Sequence, residues 1–133
     1  MDSFYDQPLD LSHAYNNFLE LSKNLLTPGG EVVLLQTAKG NQYSLVIGNY
    51  REASLREPLE DQLIAQLLSA KDTKVNLCFV TVNGKHPEIP SWHLRKSLID
   101  MDMRNLDTRT FLWGGEERIA IKPFSVLLPP KSH

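Results

Sequence analysis

Apolar side chains recur at three- and four-residue spacing along residues 11–25: Leu11, Ala14, Tyr15, Phe18, Leu21 and Leu25. On a helix these positions share one face, so the pattern predicts an amphipathic helix from about Leu11 to Leu26 that buries this stripe. Asp10 or Ser12 is suited to cap its start by accepting backbone N–H groups that the first turn leaves free. Thr27-Pro28-Gly29-Gly30 ends it, since proline cannot extend a helix and glycine accepts positive φ.

The spacing then changes. Residues 31–37 and 42–47 are rich in β-branched, leucine and aromatic side chains, and the link Ala38-Lys39-Gly40-Asn41 is short and contains glycine. Together they read as a β-hairpin. Four apolar residues in a row, Val32 to Leu35, suggest a first strand covered on both faces or central in its sheet.

Helical spacing returns in Leu59, Leu63, Ile64, Leu67 and Leu68. This second helix is expected to begin at Pro58, because proline suits a first turn and holds Glu57 out of the helical region. Glu60 and Asp61 then complement the positive end of the helix dipole and Lys71 the negative end. A third strand, Lys74 to Val82, closes at the turn signal Asn83-Gly84. A third helix is expected from Ser91, its cap, to about Met103, burying Leu94, Leu98 and Met101 with Trp92 and Ile99 at the flanks. Thr108 to Trp113, the turn Gly114-Gly115-Glu116 and Arg118 to about Leu127 make a last hairpin, in which Pro123 breaks the strand or marks it as an edge.

The order αββαβαββ, with two hairpins, rules out a doubly wound parallel sheet. The expectation is an α+β fold: a single compact domain over residues 1–128, with a mostly antiparallel five-stranded sheet and helices packed on one main face. Residues 129–133 are expected to form a mobile C-terminal tail.

Composition narrows the functional classes. A chain of 133 residues suits one hydrophobic core. With 41% hydrophobic and 23% charged residues it is not a disordered segment. Its 14 basic and 16 acidic side chains leave a formal charge of −2. That offers no broad attraction for phosphate, so nucleic acid is not an expected partner. The single cysteine, Cys78, cannot form an intramolecular disulfide, and its apolar setting reads as a small buried hydrophobe rather than a nucleophile. No signal-like start and no apolar run of about 20 residues is present, so no membrane association is expected and the expected location is the cytoplasm. No phosphate loop, no nucleophile elbow and no clustered Cys/His zinc motif occurs, and no cofactor or metal is expected.

Chemistry is densest between His86 and Arg109, which hold two histidines, four acids and four bases. On the third helix His93, Lys96, Ser97 and Asp100, and at greater distance Arg104, fall on one face. That face reads most simply as a solvated surface with a Lys96–Asp100 pair. It also supplies candidate catalytic residues: His93 for proton transfer, with Arg95, Lys96 or Arg104 to stabilise an anion. His86-Pro87-Glu88, with His93, invites a metal reading, but no HxxxH or HExxH spacing supports it. Trp92 and Trp113, each beside a turn or helix start, suit either core packing or a recognition surface.

The function expected from these observations is a small non-catalytic domain that acts through a protein partner, as an adaptor, accessory or immunity-type factor. Its expected contact residues are His86, Trp92, His93, Arg95 and Trp113. The alternative is a metal-independent hydrolase or phosphodiesterase using His93 with the neighbouring bases. A homo-oligomer paired through the edge strand ending at Pro123 is a further expectation.

Overall fold

The run Val32-Val33-Leu34-Leu35 is shut away from solvent over its whole length, and the molecule is layered around it. In a computed structural model, which describes residues 9–25, 30–48, 53–82, 86–116 and 118–127, this run is the middle of strand β1 (Glu31–Thr37). The other strands are β2 (Gln42–Ile47), β3 (Val75–Val82), β4 (Arg109–Trp113) and β5 (Ile119–Pro123), in the spatial order β2-β1-β3-β4-β5. β1 pairs antiparallel with both β2 and β3, and β4 pairs antiparallel with β5. Only β3 and β4 run parallel. The α+β class, the chain order and the mostly antiparallel five-stranded sheet are those expected from the sequence.

Side-chain alternation distributes the two faces. Val32, Leu34, Phe79 and Phe111 lie under helix α1 (Leu9–Leu25), where Phe18 stacks on Phe79 with ring centroids 5.8 Å apart and Tyr15 meets Phe111 at 5.3 Å. Val33, Leu35, Cys78 and Val80 face Leu63 and Leu67 of helix α2 (Ala53–Ser69) and Leu94 and Leu98 of helix α3 (Trp92–Met101). The main helical face thus carries α2 and α3, while α1 covers the opposite one, so the sheet is a middle layer.

Several boundaries differ from the expectation for physical reasons. α1 begins at Leu9, which puts Ser12 inside the helix instead of at its cap. α2 begins at Ala53, and Pro58 lies within it. A proline there removes one backbone hydrogen bond, but the turn before it is held from outside: Arg56 reaches Glu31 at the head of β1 at 2.7 Å. Leu68 is exposed, and Glu60 takes the inward place beside Leu63 and Leu67. α3 stops at Met101 because Asp102 turns extended and caps a 3-10 helix, Met103–Asp107, by accepting from the Arg104 N–H. β5 is an edge strand that ends at Pro123 and passes into a second 3-10 helix, Phe124–Val126. Residues 27–29 of the first turn signal, Asn83-Gly84 and the 129–133 tail lie outside the described residues.

The β1–β2 turn closes through Gly40 at φ +87° and is anchored from below by Asp72, which follows α2. The Asp72 carboxylate accepts from Thr37 Oγ1 at 2.9 Å, Asn41 Nδ2 at 2.9 Å and Tyr43 Oη at 3.1 Å. Burial pushes this carboxyl up, but the hydrogen bonds from Asn41, Thr37 and Tyr43, with Lys39 nearby, outweigh it and hold the group below the usual carboxylate range. Asp72→Ala leaves the buried Thr37 hydroxyl without this acceptor, while exposed Asn41 and half-buried Tyr43 can turn to water, and is expected to cost about 1–2 kcal/mol in urea denaturation at neutral pH. The folded pKa is depressed, so the contribution is complete above the unfolded value of about 3.9 and is lost as pH falls through the folded one. The gap between wild type and Asp72→Ala should therefore narrow on acidification.

Candidate functional site

Ser91 caps α3 in two directions. Its Oγ accepts the Leu94 N–H at 3.1 Å and donates its own proton to Glu60 Oε2 at 2.7 Å. Glu60 can be reached because it lies on the buried stripe of α2, one turn before Leu63 and two before Leu67. One turn earlier again, Arg56 Nη2 sits 2.7 Å from Glu31 Oε2 and 3.6 Å from Glu60 Oε2. The head of β1, the second turn of α2 and the head of α3 therefore meet at one polar node.

A cavity of about 410 Å³ opens over this node, lined by Arg56, Glu57, Glu60, Ser91, Trp92, His93 and Lys96. That is within the volume range of small-molecule sites, about 300–1,000 Å³. Glu60 is only 1% exposed, and among the described residues its Oε1 has no hydrogen-bond partner, nor has the neighbouring Arg56 Nε. Two buried carboxylates, Glu31 and Glu60, share one guanidinium, and burial raises the Glu31 pKa against the pull of Arg56. Unmatched buried polar atoms are costly, so a donor brought to Glu60 Oε1 or an acceptor brought to Arg56 Nε would be stabilising here.

His93 stands at the rim. Its Nε2 lies 2.7 Å from Asp61 Oδ1 and its Nδ1 3.8 Å from Glu57 Oε1. The hydrogen bond to Asp61 raises its pKa, and nearby Glu57 adds to the effect while partial burial opposes it. Lys96, also on the rim, pairs with Asp100 at 2.6 Å along the helix, as its spacing predicts. Trp92 presents an exposed ring to the cavity and packs against Arg95, whose guanidinium carbon is 5.3 Å from the ring centroid.

The remaining sequence candidates lie elsewhere. Arg95 is buried and spends its donors on the carbonyls of Pro90, at 2.9 Å, and Leu127. Arg104 is locked in a two-pronged pair with Asp102, at 3.0 and 2.7 Å, which holds that carboxyl well below the usual range. His86 stacks on Trp113 at 3.9 Å, with the Trp113 N–H donating to the Pro87 carbonyl, and neither ring lines the cavity. The expected contact set thus divides: Trp92 and His93 share the cavity, Arg95 lies behind Trp92, and His86 with Trp113 forms a separate pair. Of the residues expected for a hydrolase or phosphodiesterase, His93 and Lys96 share the cavity, whereas Arg95 and Arg104 are engaged elsewhere. Sequence reasoning missed Arg56 and Glu60. The available signal was an acid at the i, i+3, i+7 spacing of the Leu63 and Leu67 stripe.

No protein-family profile matches this chain, and no curated protein sequence does. Solved structures do match. The crystal structure of cytidine deaminase from Burkholderia pseudomallei superposes with a TM-score of 0.53 at 16% identity, covering 75% of this chain and 79% of that one. The cytidine deaminase from Bacillus anthracis matches with a TM-score of 0.53 at 15% identity, over 74% and 71% of the two chains. At this identity the likeness establishes the fold. It overturns the expectation of a non-catalytic adaptor, accessory or immunity-type domain, since the architecture is one that enzymes carry.

Nucleobase deaminases of the zinc class bind their ion through His/Cys/Cys or three cysteines, with the signature H-x-E…P-C-x-x-C. The donor set here does not fit that ion. With one cysteine in the chain no P-C-x-x-C occurs, and Pro90-Ser91-Trp92-His93-Leu94, at the head of α3, carries serine and leucine at that spacing from its proline. His86-Pro87-Glu88 has the H-x-E form, but the His86 ring stacks on Trp113 and does not line the cavity. The lone thiol, Cys78, is buried in β3, and burial pushes it up to about 12. Among the described residues no group of three His, Cys, Asp or Glu side chains is arranged to hold a metal ion, and His86, Glu88 and His93 do not form one.

The rim pair is open to a direct test. In an NMR titration His93 is expected to show a pKa above 6.5, and Asp61→Asn should lower it. Because the folded pKa is raised, the Asp61–His93 contribution to stability is complete below the unfolded value and is lost as pH rises through the folded one. A His93 pKa unmoved by Asp61→Asn would show that the pair is not formed in solution.

Proposed function

We propose that the α2–α3 cavity takes an amino-substituted nucleobase or its nucleoside and that Glu60 reads the amino-bearing edge. One observation carries this reading: among the described residues, a buried acceptor without a partner, Glu60 Oε1, near a buried donor without one, Arg56 Nε. A cytosine-like edge presents the complement, an exocyclic N–H donor next to ring and carbonyl acceptors, and a carboxylate accepting from that amine is an established pairing. Trp92 at the cavity wall supplies a ring on which a planar base can stack. The fold shared with cytidine deaminases supports the same ligand class. Glu60, within reach of a bound edge, is also the group suited to take up or return a proton there.

No described helix is long and apolar enough to cross a membrane. A cytoplasmic setting, reducing and supplied with nucleosides, suits a chain whose lone thiol is free and buried.

Calorimetric titration with cytidine, deoxycytidine, adenosine and uridine tests the reading. Saturable binding of an amino-bearing nucleoside is expected, with uridine weaker. Trp92→Ala and Glu60→Gln should each weaken it by about tenfold or more, as the loss of one stacking or base-edge contact implies. Absence of saturation by every nucleoside at millimolar concentration, or equal affinity in Glu60→Gln, removes the proposal. Ammonia release measured on the same samples reports whether bound base is turned over.

A further inference from the structure

We infer that the head of α3 is built to work without a metal ion, held by a carboxylate–hydroxyl–guanidinium tether with Glu60 at its centre. Zinc joins protein elements by drawing thiolate, imidazole or carboxylate donors from each, and three protein donors are the minimum at a catalytic site. Here the joining is done by shared protons. Ser91 Oγ directs its only proton to Glu60 Oε2, at 2.7 Å, and one of its two acceptor lone pairs to the Leu94 N–H, at 3.1 Å. A serine hydroxyl stays neutral where a cysteine at a helix N-terminus would ionise, so it brings no negative charge to a cation. Leu94, three residues on and fully buried, has no donor atom.

The electrostatics oppose a dication as well. Arg56 Nη2 is 3.6 Å from Glu60 Oε2 and 2.7 Å from Glu31 Oε2, so the positive charge at this node is already fixed in the chain. A divalent ion on Glu60 would sit against that guanidinium in a buried setting, where like charges repel strongly. Glu60 then does two things at once: Oε2 ties α2 to the cap of α3, and Oε1 is left for whatever enters the cavity. This inference stands independently of the nucleoside reading, because its readout is metal and not ligand.

Wild-type protein produced in zinc-supplemented medium and dialysed is expected to carry no stoichiometric zinc by elemental analysis, and its Tm is expected to be the same with and without EDTA. The variant Ser91→Cys, Leu94→Cys, which keeps Glu60 and Arg56, is expected to show no thiolate-to-cobalt charge-transfer band with cobalt(II), because the guanidinium still opposes the dication. An equivalent of zinc retained by the wild type, or a Tm that falls on chelation, overturns the inference. So does a stoichiometric cobalt band in the variant folded by circular dichroism. Should the variant not fold, the wild-type metal content and chelation response decide alone.

Discussion

Arg56 stands between two buried carboxylates, and much of this molecule's arrangement follows from that placement. Glu31 opens β1, the central strand, and Glu60 lies on the inward stripe of α2. Neither acid could stay in the interior without a positive partner, because the desolvation cost of a lone buried carboxylate is large. Arg56 answers both, and in doing so it pins the turn of α2 that precedes Pro58. Ser91 extends the node to a third element by donating a hydrogen bond to Glu60 while accepting the Leu94 N–H of α3. Removing the guanidinium would release two acids, a helix start and a helix cap together, so these features act as a unit rather than as separate contacts.

The same node explains why a cavity forms where it does. Helices α2 and α3 pack through Leu63, Leu67, Leu94 and Leu98 onto one face of the sheet, with apolar contacts that have no need of water. At their near ends the packing changes to polar groups, which cannot close on one another as tightly, and His93 of α3 joins the two walls at the rim through Asp61 of α2. A site of this kind has a rigid floor and side chains that can turn at its rim.

How much of this was legible in the sequence depended on which signal each residue carried. α1 was legible because its stripe is apolar on one side only. The burial of β1 was legible because Val32 to Leu35 has no polar face. The assignment of helices to the two faces was not, since a strand apolar on both sides does not say which helix lies on which. Pro58 misled because its preference for a first turn is a local rule, and a contact 25 residues away in the chain overrode it. Ser91 was recognised as a cap, but its second hydrogen bond is tertiary and leaves no local mark. Glu60 was hidden by a plausible alternative: an acid near an expected helix start is ordinarily a dipole partner. His93 and Trp92 stood out because histidine and tryptophan attract attention whatever their context, while charge alone did not reveal that Arg95 and Arg104 already have partners within the chain.

The parallel seam between β3 and β4 has a consequence for how the chain assembles. Parallel neighbours cannot be joined by a tight turn, so the chain must cross back over the sheet between them, and α3 is part of that crossing. The seam is short, registering only Leu77 with Arg109 and Cys78 with Thr110. The two hairpins, β1–β2 and β4–β5, join residues close in the chain, whereas β1–β3, with Glu31 opposite Val82, and β3–β4, with Leu77 opposite Arg109, must each close a long loop. Ser91 belongs to the segment between β3 and β4. The pairing that closes this crossing therefore also limits how far the cap of α3 can stray from Glu60, although it touches no wall of the cavity.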